Sequence, residues 1–456
     1  MDHTELVKGF SNELFTAINE KLIDSKLTVA TRSDVKPASS ERILEIHNVG
    51  SYEELDLQVL SVRHASSTDA RISISRDLFR IMKDYGFRNA LIATYSDDQN
   101  FWRYSLITSD LDISDKGKIT KQFSNPKRYS FLLGENQKVN TPNKQLLKLG
   151  SVTTLDDLKK RFSLEVVNNE FYNSIAALFD ALVGSEGAIL NQSQLQIVER
   201  LTEVTYVKTE KSSKCYKIIP LLKYPSSGDS FQFAVRLIGR IIFCWFLKEK
   251  HSSNGIPLIS NEILSAAALN KNDSYYHNIL APLFFEALNK PIENRHDNYR
   301  ANDFELVPYL NGGLFTPDPK DHYKFDKVSG FSEPELVDIP KPWLSEFFTL
   351  LELFNFTVDE NTSFDVELSI DPEMLGRVFE GLLARINPET GETARKSTGS
   401  YYTPREIVDY MVDESLAQYL LTNSNINEGK IRALVSYDLT DDEMYPLDEG
   451  EKKTIL

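Results

Sequence analysis

The stretch "LDLQVLSVRHASSTDARISISRDLFRIMKDYGFRNALIATYS", residues 55–96, decides the reading of the amino-terminal third. Residues 55–64 and 89–96 are short runs rich in Val, Leu, Ile and Ala, the pattern of buried strands. Between them, "ISRDLFRIMKDYG" (74–86) spaces its apolar residues three and four apart and ends at Gly86, as a helix does. A helix between two strand runs predicts a small α/β domain. Downstream, "FWRYSLITSD" (101–110) alternates like a strand, and 124–142 reads as loop, short strand and turn.

From about 151 to 393 the pattern turns helical. The run 154–184 has Thr154 or Asp156 as its cap and closes at Gly184. "FQFAVRLIGRIIFCWFLKEK" (231–250) is the longest apolar run, but Arg236 and Arg240 interrupt it, so it reads as a core helix and not a membrane span. A further helix is expected at 274–290 and a Gly-rich turn at "YLNGGLFTPD" (309–318). In "SIDPEMLGRVFEGLLARI" (369–386) Asp371 is placed as N-cap and Pro372 as the first helical residue. Leu375, Val378, Phe379, Leu382 and Leu383 make its apolar stripe.

The 456 residues, 41% of them hydrophobic and 26% charged, have the composition of a globular protein, with length for about three domains. The opening "MDHTELVKGF" lacks the features of a signal peptide, and a cytoplasmic location is expected. Cys215 and Cys244 are too few for a disulfide framework or a zinc site. A net charge of −16 argues against coating nucleic acid with the whole surface and leaves room for a local basic groove.

Near the end, "NPETGETARKSTGS" (387–400) reads as a polar loop, and "YYTPREIVDYMVDESL" (401–416) as a helix start. Thr403 is the N-cap, Pro404 the first helical residue and Glu406 the partner that completes a capping box. Ile407, Val408, Met411, Val412 and Leu416 are expected along one buried side.

"GSYYTPREIV" resembles the motif that opens adenine-N6 DNA methyltransferases whose cofactor segment precedes the S-adenosylmethionine-binding sheet. With "RLIGRIIFCWFLKEK" (236–250), "YLNGGLF" (309–315), "LFNFTVDENTSFD" (353–365) and the 371–404 stretch, it is similar in order and spacing to the amino-terminal half of large restriction-modification methylases. These include type IIG enzymes and BREX-like phage-defence methylases; "FWRYSLIT" and "PKRYSFLLGE" resemble their leading domain.

The resemblance implies that Tyr401, Tyr402, Thr403, Pro404 and Arg405 lie against S-adenosylmethionine, and that Arg395 and Lys396 approach double-stranded DNA. It implies an α+β architecture in three parts. These are an α/β domain over 1–150, a nuclease-like remnant or positioning module; a helical domain over 151–393; and, over 394–456, the start of a Rossmann-like methyltransferase domain whose sheet is not encoded here. The DPACGSG-type cofactor turn and the (N/D)PP(Y/F) loop that takes a flipped adenine are both missing from these residues. Methylation is therefore expected to require a partner chain carrying the catalytic half. The apolar stripe of the 404–421 helix, buried on the sheet in a complete domain, is expected to be exposed here and to cause poor solubility or tight association with a second chain. The alternative is a non-catalytic DNA- or protein-binding subunit of a defence complex. For a metal-dependent nuclease, "YEELDLQVLSVRH" (52–64) offers Glu53, Glu54 and Asp56 but no lysine two residues after an acid. Arg63 and His64 are poor substitutes, so no metal site is assigned.

Overall fold

The protein is described here by a computed structural model covering residues 3–30, 34–35, 42–67, 71–113, 119–207, 214–222, 227–252, 254–310, 312–321, 325–328, 331–332, 338–358, 361–362, 364–383, 405–435 and 446–455. Its contacts form two compact units. The first comprises Met1–Val166, Asn361–Ser369 and Thr403–Leu456; the second comprises Val167–Glu360 and Ile370–Tyr402.

The first unit is built on strands β1 (Thr28–Val29), β2 (Asp34–Val35), β3 (Ile43–Tyr52), β4 (Leu57–His64), β5 (Asn89–Tyr95), β6 (Phe101–Ile113) and β7 (Ile119–Gly134). In the second unit lie β8 (Ser185–Ala188), β9 (Val204–Val207), β10 (Cys215–Ile218), β11 (Phe325–Asp326) and β12 (Phe331–Ser332). Then β13 (Asp365–Glu367) returns to the first sheet. That sheet is mixed, in the order β1-β3-β4-β5-β6-β7-β13, with β2 also on β3.

β4 and β5 pair in parallel from Leu57↔Asn89 to Arg63↔Tyr95, and the helix Arg71–Tyr85 makes the crossover that parallel neighbours require. Its inner face joins Leu60, Val62, Ala90, Ile92 and Ile107 in one core. The helix stops as a Schellman cap: Gly86 takes φ +74°, its N–H donates to Lys83 O at 3.2 Å, and Phe87 N–H donates to Met82 O at 2.8 Å. The expected strands and helix of 55–110 are all present, while the short strand expected within 124–142 is the end of a 16-residue strand.

The second unit is mainly helical, with a three-stranded sheet ordered β8-β10-β9 that the helical reading of 151–393 did not include. Ahead of it, at the end of the first unit's leading segment, Thr154 caps the helix Leu155–Arg161, and the next helix runs Leu164–Val183. The helix Ser227–Glu249 is long and apolar enough to span a membrane by composition; 72% of its apolar window is buried inside the protein. Gly239 on that helix meets the ring of Phe379 on the helix Pro372–Leu383, and a side chain at 239 would overlap it. Asp371 caps that second helix, accepting from Met374 N–H at 3.1 Å, but Met374, Gly376, Val378 and Leu382 form its buried face, with Leu375, Phe379 and Leu383 only partly covered. The expected 274–290 helix is wound as π-turns, Tyr276–Leu280 and Leu283–Ala287, on either side of Pro282.

The resemblance-bearing "YLNGGLF" is held from the Ser227–Glu249 helix. Arg240, 1% exposed, donates to Leu314 O at 2.7 Å, Thr316 O at 3.3 Å and Asp321 at 2.9 Å; Arg236 donates to the other oxygen of Asp321 at 2.8 Å. The two arginines that argued against a membrane span are a loop anchor.

Candidate functional site

On the sheet face beneath the helix Arg71–Tyr85, charged residues replace the apolar ones toward β7 and β13. Arg128, fully buried, donates to Ser105 Oγ at 2.9 Å, Ser75 Oγ at 3.1 Å and Thr94 Oγ1 at 3.0 Å. Asp365, also fully buried, lies 3.8 Å from Arg128 Nη1 and 2.7 Å from Arg71 Nε, and Ser75 Oγ stands 2.8 Å from it. Glu367 accepts from Arg103 at 2.6 Å and from Arg71 at 3.4 Å. Both carboxylates arrive on β13, whose register sets Asp365 beside Arg128 and Glu367 beside Ser130. Buried guanidiniums need such partners, because an ion left alone in a low-dielectric interior costs several kcal/mol.

A cavity of about 10 Å³, the room of one water, opens beside this cluster at the carboxyl ends of β4 and β5. His64, Arg71, Thr94, Gln99, Arg103 and Arg128 line it. Each carboxylate of the cluster is engaged by guanidinium groups, which makes the arrangement a rigid structural network and a poor source of a general base. On the opposite face, Tyr104 donates to Asn19 Oδ1 at 2.6 Å. Burial, with Glu20 nearby, pushes the Tyr52 phenol up to about 12.

The acids considered for a nuclease stand apart from this cluster. Glu53 and Glu54 are exposed on a 3₁₀ turn, and Glu54 takes a bond from Ser25 at 3.3 Å. Asp56 has φ +47° and sits 3.8 Å from Arg88. Arg63 is shared between Asp97 at 2.9 Å and Glu45 at 3.1 Å, and these bonds raise its pKa. His64 is a buried packing residue. Among the described residues no group of three or more His, Cys, Asp or Glu could hold a metal. Cys215 and Cys244 are buried, and burial raises the Cys244 thiol.

Of the residues expected against S-adenosylmethionine, Tyr401, Tyr402, Thr403 and Pro404 lie outside the described residues, as do Arg395 and Lys396. Arg405 opens the helix Arg405–Asn423, and its side chain is likewise outside them. The helix is present, and its apolar side is open to solvent, as expected for a helix without the sheet it would pack on. Ile407, Val408, Met411, Val412 and Leu416 are 42–59% exposed, and Tyr410 and Tyr419 more so. Among the described residues its carboxyl-terminal part packs, with Ala417, Leu420 and Leu421 against Ile426, Ile431, Val435, Leu447 and Ile455.

The residues that sequence reasoning missed are Arg71, Arg103, Arg128, Asp365 and Glu367. The local pattern gave no signal for Arg103: it stands with Ser105 on the polar register of a strand whose Trp102, Tyr104 and Leu106 alternate with them. Nothing local ties "FDVEL" (364–368) to a sheet more than 200 residues earlier.

The fold class is therefore mixed α and β, with a sheet domain and a helical domain. The chain is similar to a protein of Methanocaldococcus jannaschii named "Putative type II restriction enzyme and methyltransferase", at 28% identity over 257 residues. That alignment covers 55% of this chain and 19% of the relative, so the chain spans a small part of that protein's length. No family model matches the chain, and no solved structure matches it significantly.

Proposed function

We propose that this chain is the amino-terminal part of a site-specific, S-adenosylmethionine-dependent adenine-N6 DNA methyltransferase of a restriction-modification or phage-defence system. The observation that carries the reading is the similarity to the relative named "Putative type II restriction enzyme and methyltransferase", in a chain whose ordered motifs resemble restriction-modification methylases. In this reading Tyr401 to Arg405 cover the methionine end of the cofactor, and Arg395 and Lys396 approach DNA. The cofactor turn and the (N/D)PP(Y/F) loop come from a further polypeptide segment, in this chain or in another.

The exposed apolar side of the helix Arg405–Asn423 favours such a segment. Five aliphatic side chains at 42–59% exposure on one helix form a patch that a lone soluble domain rarely presents. We place the catalytic half against it.

The test is methyl transfer to duplex DNA from labelled S-adenosylmethionine, with the 456-residue chain alone and with a catalytic-half polypeptide added. Incorporation only in the mixture, lost on Tyr402→Ala, is expected. Incorporation by the chain alone would overturn the division of labour. Failure of the mixture to form a complex, with normal folding of both parts, would favour the other reading, a non-catalytic subunit of a defence complex.

A further inference from the structure

The helix Arg71–Tyr85 turns a second face outward, and its chemistry differs from that of the chain as a whole. Residues 71–88 hold five cations, Arg71, Arg76, Arg80, Lys83 and Arg88, against two acids, Asp77 and Asp84, in a protein of net charge −16. Arg76 and Arg80 are exposed, four residues apart, and Lys83 follows three residues on at partial exposure. At 1.5 Å per residue this is a cationic stripe about 10 Å long on one side of the helix.

Asp77 organises it. Its carboxylate is 3% exposed, and its two oxygens hold two arginines from separate segments, Arg42 at 3.3 Å and Arg80 at 3.5 Å. The side chains of both arginines remain 56% exposed. A buried carboxylate needs cationic partners, and here both are drawn from side chains that stay more than half exposed. The fork restrains two long side chains in advance, and that lowers the ordering cost of binding an anion. Arg76 is similarly placed, 5.7 Å from the centre of the Phe364 ring. The helix dipole accounts for a cation at Lys83, in the last turn, and not for Arg76 and Arg80 in the middle.

We infer that Arg42, Arg76, Arg80 and Lys83 form a contact for the phosphate backbone of duplex DNA, independent of base sequence, which positions this domain on its substrate. The inference rests on the proposed reading of the chain as part of a DNA-modifying enzyme. Polyanionic phosphate suits the stripe: guanidiniums offer paired N–H donors, and duplex DNA presents one charge about every 3.4 Å along each strand.

The experiment is fluorescence anisotropy of a labelled, random-sequence duplex of about 30 base pairs titrated with the full chain at several salt concentrations. The variants are Arg76→Glu/Arg80→Glu and the milder Arg76→Ala/Arg80→Gln, with Lys159→Glu/Lys160→Glu on the exposed face of the helix Leu155–Arg161 as charge control. Circular dichroism and melting confirm that each is folded. Both stripe variants are expected to flatten the slope of log affinity against log salt by about two, and the charge reversal to weaken binding by about tenfold or more. The control should bind as the wild type does.

Wild-type binding unchanged in the stripe variants would overturn the stripe and leave the DNA reading standing. An equal loss in the control would reduce the effect to net charge and overturn it as well. Displacement by polyglutamate as effective as by duplex would assign the stripe to acidic protein. No binding by the wild-type chain would overturn both the stripe and the DNA partner.

Discussion

Asp365→Ala tests whether β13 is an integral part of the first unit. The change removes the 2.7 Å partner of Arg71, the 3.8 Å partner of Arg128 and the oxygen 2.8 Å from Ser75 Oγ. Arg71 and Arg103 would then share Glu367, and Arg128 would keep the hydroxyls of Ser105, Ser75 and Thr94. Breaking a buried ion pair from one side costs about 3–5 kcal/mol. Arg71 retains Glu367 at 3.4 Å, which places the expected loss near the lower end, about 3 kcal/mol. At about 1.4 kcal/mol per factor of ten, amides of β6 and β7 should exchange with solvent roughly 100-fold faster. Exchange in the Ser227–Glu249 helix should stay as it is. Asp365→Asn keeps an acceptor for Ser75 without the charge and should fall between. Glu373→Ala, which breaks an exposed 2.8 Å pair with Arg377, should change stability by less than about 1 kcal/mol. Hydrogen-exchange mass spectrometry reads both units in one experiment. Acceleration below tenfold in β6 and β7, or equal acceleration in the 227–249 helix, would refute the account of β13 as a charge-locked strand of the first sheet.

Gly239→Ala should destabilise the second unit by about 1–3 kcal/mol, because the new methyl group overlaps the Phe379 ring; Phe379→Leu in the same chain should recover part of the loss in a urea melt. Burial alone would raise the Asp321 carboxyl, but the hydrogen bond and charge of Arg240, the Asp318 N–H and Arg236 outweigh it and hold the group below its usual range. A depressed folded-state value gives stability that is present above the unfolded value, near about 4, and lost as pH falls through the folded one. Asp321→Asn should therefore lower stability at neutral pH and shrink the further loss on acidification, read by tryptophan fluorescence between neutral and strongly acid pH; parallel profiles would contradict this. Met411→Lys, at a position already 59% exposed, should leave the melting free energy within about 0.5 kcal/mol while reducing dye binding and self-association. A large loss of stability would mean that Met411 is covered within the chain.

The strand–helix–strand unit of 55–96 was legible because each element buries a face against its sequence neighbours. Apolar spacing alone then specifies what pairs. Thr154 as a cap, Asp371 as a cap and the Gly86 stop were legible for the same reason, since caps are satisfied by atoms two to four residues away. The 16-residue length of β7 and the sheet β8-β10-β9 were not, because strand length and pairing depend on partners outside any local window. In the helix Pro372–Leu383 the elements were read correctly and the buried face only in part. Gly239 leaves space for Phe379 at the helix contact, and Met374 takes the core position.

By itself the sequence determined the local elements, the caps, the absence from these residues of both methyltransferase signature loops, and the ordered motifs that lead to a restriction-modification relative. Tertiary structure alone decided that Asp365 and Glu367 neutralise arginines more than 200 residues away, and that Arg240 clamps the Gly-rich loop. The reason is the reach of the forces involved. Backbone hydrogen bonds and side-chain caps act within a few residues of chain, whereas the pairing of buried charges and the covering of apolar faces are settled by whichever distant segments the fold brings together.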